Sequence, residues 1–308
     1  MQNWTANILF LFSISAALGV IYLWLYLKKR EAQKFPFSDA VPRLPGQGLS
    51  EKINELSFEL ALYFGLVPLA PVLLYAVYLQ SLAINGDQVS GPAAIILLLL
   101  AAGAVSYLII RIFRIFSERH ACQLGYAGEV AVGSALNELM RQGYYVFHDI
   151  RGDNEFNIDH IAVGPNGVFA IETKAKTMSK KVSSRKAFKV TYDGESLYFS
   201  DKPRKRHRDY INQAEDGAKW VSEWLSEATG MSVKAIPVLV FPGWFINRKR
   251  PGDILVLNHN QLATLANEKS RQLDQGEITH VVYQIKQKYL DQRSGRSRYV
   301  VGEHETVN

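Results

Sequence analysis

The Gly-Pro-Asn-Gly sequence at 164–167 constrains the fold most, because it places a strong turn between two short β-rich runs. Counting outward from a symmetric turn pairs Val163 with Val168. The same register brings Asp159 opposite Glu172. Side chains opposed in this way have Cβ atoms about 4.5–5.5 Å apart. The sequence therefore predicts an antiparallel hairpin that carries two facing carboxylates.

A lysine completes this pattern, since Lys174 follows Glu172 by two residues and shares its face of the strand. Facing carboxylates repel each other unless a cation or a proton lies between them. One interpretation is that Asp159 and Glu172 bind a hard divalent ion, for which oxygen ligands are suited. The other is a solvated strand edge at which Lys174 neutralises Glu172. The residue geometry alone leaves both interpretations open.

Further motifs follow the hairpin pattern in a fixed order. The motifs lie within Ala121–Leu257 and are Gly128-Glu129-x-x-Val132, Ile158-Asp159-His160, Gly167 to Lys174, Asn212-Gln213-Ala214 and Val238 to Gly243. Together they resemble the nuclease-related domain (NERD) family, and the hairpin resembles the active site of the PD-(D/E)xK nuclease superfamily. The resemblance implies an α/β domain with a restriction-endonuclease-like mixed sheet flanked by helices.

The same resemblance implies roles for five side chains. Asp159 and Glu172 would be metal ligands for Mg²⁺ or Mn²⁺, and Lys174 the catalytic base or electrostatic helper. Glu129 would be an accessory acid that reaches the site from the first helix of the domain. Gln213 would position a ligand or Lys174. The implied function is metal-dependent hydrolysis of DNA or RNA, and the alternative is a catalytically inactive nucleic-acid-binding or scaffolding module.

Positive charge is concentrated just after the hairpin. From Lys174 to Arg208 the chain has twelve Lys and Arg against three Asp and Glu. We predict a phosphate-binding loop beside the active site. A solvated loop, or one lying on anionic lipid headgroups, is the alternative. The predicted nucleic-acid-binding residues are Lys202, Arg204, Lys205, Arg206 and Arg208.

Three long apolar runs precede the domain, at about 7–27, 60–84 and 92–110. Each is long enough for a membrane-spanning helix, which needs roughly 20 apolar residues. Lys and Arg are concentrated at 28–55 and directly after the third run, whereas 85–91 has none. This asymmetry predicts an external N-terminus and a cytoplasmic C-terminal domain. We therefore expect a multi-pass integral protein of the bacterial inner-membrane type, with the lipid bilayer as a partner.

The predicted fold class is thus an α-helical transmembrane region of three helices followed by the α/β domain. The expected boundaries are 1–119 for the membrane region, 120–258 for the nuclease-related domain and 259–308 for C-terminal helices and a polar tail. We expect the domain to open with a helix at Glu118–Gln142, with an apolar stripe formed by Val130, Leu136, Leu139 and Met140. The single cysteine of the chain rules out an intrachain disulfide.

Overall fold

The structure is a computed structural model of the 308-residue chain. It describes residues 43–69, 91–152, 157–177, 188–268 and 273–294, together with residues 72, 75, 76, 78 and 79. The chain forms two compact units. The first consists of Met1–Ser38 and Lys52–His120, and the second of Asp39–Glu51 and Ala121–Asn308.

The helices are α1 (Gln47–Leu66), α2 (Gly91–Arg141), α3 (Asp209–Thr229) and α4 (Gln275–Ser294), with a 3₁₀ helix at His259–Asn267. The strands are β1 (Tyr145–Arg151), β2 (Asn157–Gly164), β3 (Gly167–Thr173), β4 (Lys189–Tyr192), β5 (Leu197–Phe199), β6 (Lys202–His207), β7 (Ala235–Val240), β8 (Phe245–Arg248) and β9 (Leu255–Leu257). Two of the helices, α1 and α2, contribute residues to both units.

In the first unit, ion pairs connect α1 to α2. Arg111 lies 2.8 Å from Glu59, and Lys52 lies 3.5 Å from Glu118. The pairs are partly exposed, so each contributes little stability in high dielectric. They nevertheless show that the charged residues of these helices face one another.

The second unit is built on a mixed five-stranded sheet in the order β1-β2-β3-β7-β9. Strands β1 to β3 are antiparallel, and β7 and β9 continue the sheet in parallel with β3. In the β2–β3 hairpin Val163 pairs with Val168 and Gly164 with Gly167. This is the register predicted from the turn sequence, and the mixed sheet with flanking helices agrees with the predicted α/β domain.

Helices cover both faces of this sheet, because successive strand residues point to opposite sides. Ile161 and Ala170 join a core with α3 and α4, whereas Ala162 and Phe169 join a second core with α2 and the 3₁₀ helix. On α2 the stripe includes Leu136 and Leu139 as predicted. Val132 is buried in place of Val130, and Met140 is half exposed.

A smaller four-stranded sheet, in the order β6-β5-β4-β8, belongs to the same unit. The predicted phosphate-binding loop is part of it, since Lys202–His207 forms strand β6 at its edge. The prediction of a loop at this place is wrong. A row of Lys and Arg with a proline has no alternation of apolar residues, but such residues are typical of edge strands that avoid further pairing.

The prediction of three transmembrane helices is also wrong for the part of the chain that the structure describes, where no helix is both long enough and apolar enough to cross a membrane. The run at 7–27 lies outside the described residues, and 60–84 is described only in part. The run at 92–110 is the beginning of the 51-residue helix α2, which continues through charged residues to Arg141. The same finding contradicts the prediction of a multi-pass inner-membrane protein with an external N-terminus and the lipid bilayer as a partner.

Candidate active site

The β2–β3 hairpin leads directly into a group of buried acidic side chains. The pairing of the two strands ends at His160 and Ile171, so Asp159 and Glu172 occupy the next positions. There the backbone N–H of Thr173 donates a hydrogen bond of 2.7 Å to Oδ2 of Asp159. A carboxylate thus takes the place of a backbone acceptor where the ladder ends, and its orientation is fixed.

Lys174 lies beside the second acid, with Nζ 2.6 Å from Oε1 of Glu172. Its backbone N–H donates to the carbonyl of Val240, which anchors the end of β3 to β7. Nζ also lies 6.0 Å from the ring centre of Tyr210 on α3, at the outer limit of a cation–π contact. The predicted proximity of Glu172 and Lys174 is therefore present, and Tyr210 is a neighbour that was not predicted from the sequence.

Glu129 reaches the same group from helix α2. A close approach makes this possible, because a Cβ at Gly128 would lie 2.6 Å from the side chain of Ala175 just beyond β3. The backbone N–H of Gly46 donates a hydrogen bond to the Glu129 carboxylate. The helix therefore carries its acid to the edge of the hairpin only because glycine replaces a side chain at the contact.

The acids interact strongly because they are buried together. Burial, followed by the charges of Asp149 and Glu172, raises the pKa of Glu129 to about 7. Burial, then Glu172 and Glu129, raises the pKa of Asp159 well above its ordinary value. The pKa of Glu172 is also raised by burial, although Lys174 opposes the shift. The group therefore contains three acidic side chains and only one cationic side chain, Lys174, close enough to offset them.

Carboxylate oxygens are ligands that a hard divalent cation prefers. Within the described ranges, no three His, Cys, Asp or Glu side chains converge closely enough to enclose a metal ion. Mg²⁺ does not require such a cage, since it keeps several waters and is held by one or two carboxylates plus substrate phosphates. Asp159 and Glu172 are the residues that would hold it. Its charge would favour the ionised form of these acids, whose pKa values are raised by burial and, for Glu129 and Asp159, also by neighbouring carboxylates.

A segment distant in sequence completes the surroundings of Glu129, and we call residues 43–49 the strap. Arg43 forms a buried ion pair with Asp149, and its Nε lies 2.6 Å from Oδ2. Gly48 donates its backbone N–H to the same oxygen at 2.9 Å. Asp149 has a left-handed φ of 52°, which Asp adopts more readily than most residues. The strap thus holds the Gly46 N–H against Glu129.

Gly133 on α2 accommodates the strap. A Cβ at this position would lie 2.4 Å from Cγ of Pro45. Arg43, Gly46 and Asp149 were not predicted from the sequence, because the strap and Asp149 lie about a hundred residues apart along the chain. The Pro45-Gly46 pair was a turn signal. It carried no indication of which element the turn would contact.

The remaining predicted residues lie farther from the acids. Gln213 is exposed on α3, and the residue of that helix that approaches Lys174 is Tyr210 one turn earlier. The residues of β6 from Lys202 to Arg206 are all exposed. Lys176 connects the two regions, because its Nζ lies 3.5 Å from the ring centre of Phe199 on β5 and 3.9 Å from Asp201. The sequence signal for Lys176 is its spacing, because it follows Glu172 and Lys174 at intervals of two residues and would share their face of an extended strand.

Two histidines lie in the core behind the hairpin. Nδ1 of His148 is 2.8 Å from Nδ1 of His160, and the rings meet edge to face. Burial lowers the pKa of both, to about 4 for His148. His160 therefore packs on the face opposite Asp159, and its partner is His148 from the neighbouring strand β1.

Comparison with curated proteins and with solved structures yields no match. A family model matches part of the chain. The matched residues include Glu129, the two hairpin acids, Lys174 and Gln213. The nuclease-related domain (NERD) model matches residues 124–242, and this segment is therefore related to the nuclease-related domain family.

Proposed function

We propose that the chain hydrolyses phosphodiester bonds of DNA or RNA at the β2–β3 hairpin, with Mg²⁺ or Mn²⁺ bound by Asp159 and Glu172. The observation that supports this most is the excess of buried negative charge, since the pKa values of Glu129, Asp159 and Glu172 are all raised. Perturbed carboxylates of this kind are characteristic of functional sites. The match to the nuclease-related domain is independent support.

When bound there, a divalent cation would polarise the scissile phosphate and lower the pKa of an attacking water. The residues of the chain supply the remaining requirements. The Thr173 N–H orients Asp159, and Lys174 places a positive charge where negative charge develops on the phosphate. The pKa of Glu129 is raised by burial and by neighbouring acids, and its carboxylate can accept a proton from the attacking water or return one to the leaving oxygen.

One contact supports a second candidate function. Lys174 and Glu172 form an ion pair of 2.6 Å. A nuclease-related fold in which this pair is purely structural would be a nucleic-acid-binding or scaffolding module without catalysis. Fold relationship alone does not separate the two functions, because activity depends on the site rather than on the fold.

Three variants of the full chain separate these functions. Asp159→Asn and Glu172→Gln each remove a charged ligand while nearly preserving size. We expect weaker Mn²⁺ binding by calorimetry, loss of plasmid nicking and single-strand cleavage, and an unchanged or raised Tm. Lys174→Ala should reduce the cleavage rate more than it reduces metal affinity. The assays are run with Mg²⁺, Mn²⁺ or EDTA.

Glu138→Gln is the matched control, because Glu138 is a half-exposed acid on the same helix as Glu129 and pairs with Arg141. It should change neither metal binding nor cleavage. A structural ion pair predicts the opposite pattern. Metal affinity would then be unchanged in both hairpin acid variants, and Lys174→Ala would lower the Tm. That result would reject the nuclease and leave the binding module.

A further inference from the structure

The four-stranded sheet has one buried face and one open face. Val190 on β4 and Phe199 on β5 turn into the core, whereas Lys189, Thr191 and Tyr198 turn outward. The open face contains a depression of about 430 Å³ lined by residues that include Lys189, Thr191, Tyr198, Pro203 and Lys249. Sites for small ligands commonly enclose about 300–1,000 Å³. The depression is therefore large enough for one base with its sugar.

Aromatic rings are available on this open face. Thr191 faces Tyr198 across the β4–β5 pair, and the Tyr198 hydroxyl hydrogen-bonds to Asp193. Asp193 also accepts hydrogen bonds from the backbone N–H groups of Glu195 and Ser196. Its carboxylate is therefore fixed in place and orients the tyrosine ring. Beside Lys189 on the neighbouring strand, Phe245 is 62% exposed. Fixed or exposed rings are the platforms on which unpaired bases stack.

The charge around these rings is positive. Residues 188–208 and 245–250 together contain nine Lys and Arg against three Asp and Glu. Two of the cations, Lys189 and Lys249, line the depression itself. The carboxylate that also lines it, Asp193, already accepts three hydrogen bonds. The face thus combines aromatic rings with cationic side chains.

We propose that this open face, defined by Lys189, Thr191, Tyr198, Phe245 and Lys249, binds an unpaired nucleic-acid strand. One base of the strand stacks on Tyr198, and backbone phosphates of the strand contact Lys189 and Lys249. The inference rests on the proposed function in that the bound strand is the substrate of the acidic site. A duplex suits the face less well, because its bases stack on one another and cannot enter the depression.

Strand β5 relates this face to the acids. Tyr198 points to the depression, and the next residue, Phe199, points to the other side, where its ring contacts Nζ of Lys176. Lys176 follows Lys174 by two residues. A three-residue strand therefore carries the stacking ring on one side and a contact to the segment beyond Lys174 on the other. The face selects the unpaired state of the substrate.

The test is fluorescence anisotropy with the full chain in EDTA, so that no cleavage occurs. The probes are a labelled 12-nucleotide single strand, a hairpin duplex of the same sequence and a strand with abasic positions. We expect Tyr198→Ala to weaken single-strand binding roughly tenfold and Tyr198→Phe to restore it. Tyr283→Ala is the matched control, because Tyr283 is an exposed tyrosine on α4 and should leave binding unchanged.

The other probes isolate each contribution. The abasic strand should bind the unmodified chain about as weakly as the intact strand binds Tyr198→Ala. Lys189→Ala and Lys249→Ala should each lower the log–log salt slope by about 0.7, the value for one phosphate contact on a single strand. Equal binding of intact and abasic strands, or of duplex and single strand, would overturn the inference.

The same assay distinguishes this inference from the proposed function. Glu172→Gln should bind the single strand as the unmodified chain does while losing cleavage. Binding that depends on Tyr198 without any cleavage would reject the nuclease but keep the strand-binding face. Cleavage with normal single-strand affinity in a folded Tyr198→Ala variant would keep the nuclease and reject the face.

Discussion

In the acidic site Glu129 and Glu172 are buried and Asp159 and Lys174 partly buried, whereas the residues from Lys202 to Arg206 are exposed on an edge strand. Both regions belong to one compact unit. Buried charges interact strongly, because little water screens them. Exposed charges are screened by salt over about 8–10 Å. Removing a charge is therefore expected to shift the protonation of its neighbours in the first region and salt-dependent binding in the second.

The largest effect is expected at the buried ion pair beside the acidic site. Arg43→Ala leaves Asp149 buried without its cation, and breaking such a pair typically costs about 3–5 kcal/mol. Urea unfolding measures the change. Lys219→Ala is the control, since its pair with Glu223 is exposed on both sides and should contribute within about 0.5 kcal/mol. Similar destabilisation of the two variants would remove the contrast between buried and exposed charge.

The next effect concerns pH. The folded-state pKa of Glu129, about 7, lies above its ordinary 4.5, so the folded chain holds a proton that the unfolded chain releases. The stability linked to that proton is present below about pH 4.5 and is lost as pH rises towards 7. At about 1.4 kcal/mol for each pKa unit, the loss is roughly 3 kcal/mol.

Glu129→Gln removes this titration. The unfolding free energy of the unmodified chain, relative to that of the variant, should fall between pH 4.5 and 7.5 in EDTA. Urea titrations at four pH values measure the difference. Glu138→Gln, an exposed change on the same helix, should follow the unmodified chain in parallel. A pH-independent difference for Glu129→Gln would show that its carboxyl does not share the buried charge.

A smaller effect is expected from added volume under the strap. Gly133→Ala puts a Cβ 2.4 Å from Pro45, and such overpacking costs about 1–3 kcal/mol. Gly103→Ala on the same helix meets nothing within 4 Å and should gain about 1 kcal/mol from helix propensity. Thermal melts should show a lower Tm for Gly133→Ala and a higher Tm for Gly103→Ala. A stabilised Gly133→Ala variant would mean that the strap is not seated on α2.

The smallest effect on stability is expected on the basic strand. Changing Arg204, Lys205 and Arg206 together to Ala should alter the unfolding free energy by no more than about 0.5 kcal/mol for each exposed site. Nucleic-acid binding should nevertheless weaken, and the salt slope should fall by about 0.7–0.9 for each phosphate that is no longer neutralised. Titrations at several salt concentrations measure it. An unchanged slope would separate β6 from the binding surface.

The hairpin was predictable from sequence because the turn at 164–167 sets the register, and the register places every later residue on a face. Asp159, Glu172 and Lys174 could be located in this way. The position of Glu129 at the site could be predicted only from the family resemblance, since the helix that carries it meets the hairpin through a tertiary contact at Gly128. The hairpin residues could be located because their geometry is set by residues close in sequence.

The errors have equally physical causes. Strand β6 lacks apolar alternation because it is an exposed edge, so charge suggested a loop. The apolar run at 92–110 has the length of a membrane span, but it is the beginning of a longer helix that continues into charged residues. The Arg43–Asp149 contact joins residues 106 positions apart, and no local pattern reports on such a pair.

The strap also changes how the second unit is defined along the chain. Because residues 39–51 and 121–308 fold together, the segment 52–120 is an insertion within that unit. The insertion tethers the strap and gives it a high effective concentration at its docking site. A fragment that starts after residue 120 therefore loses the tether and the Gly46 N–H together.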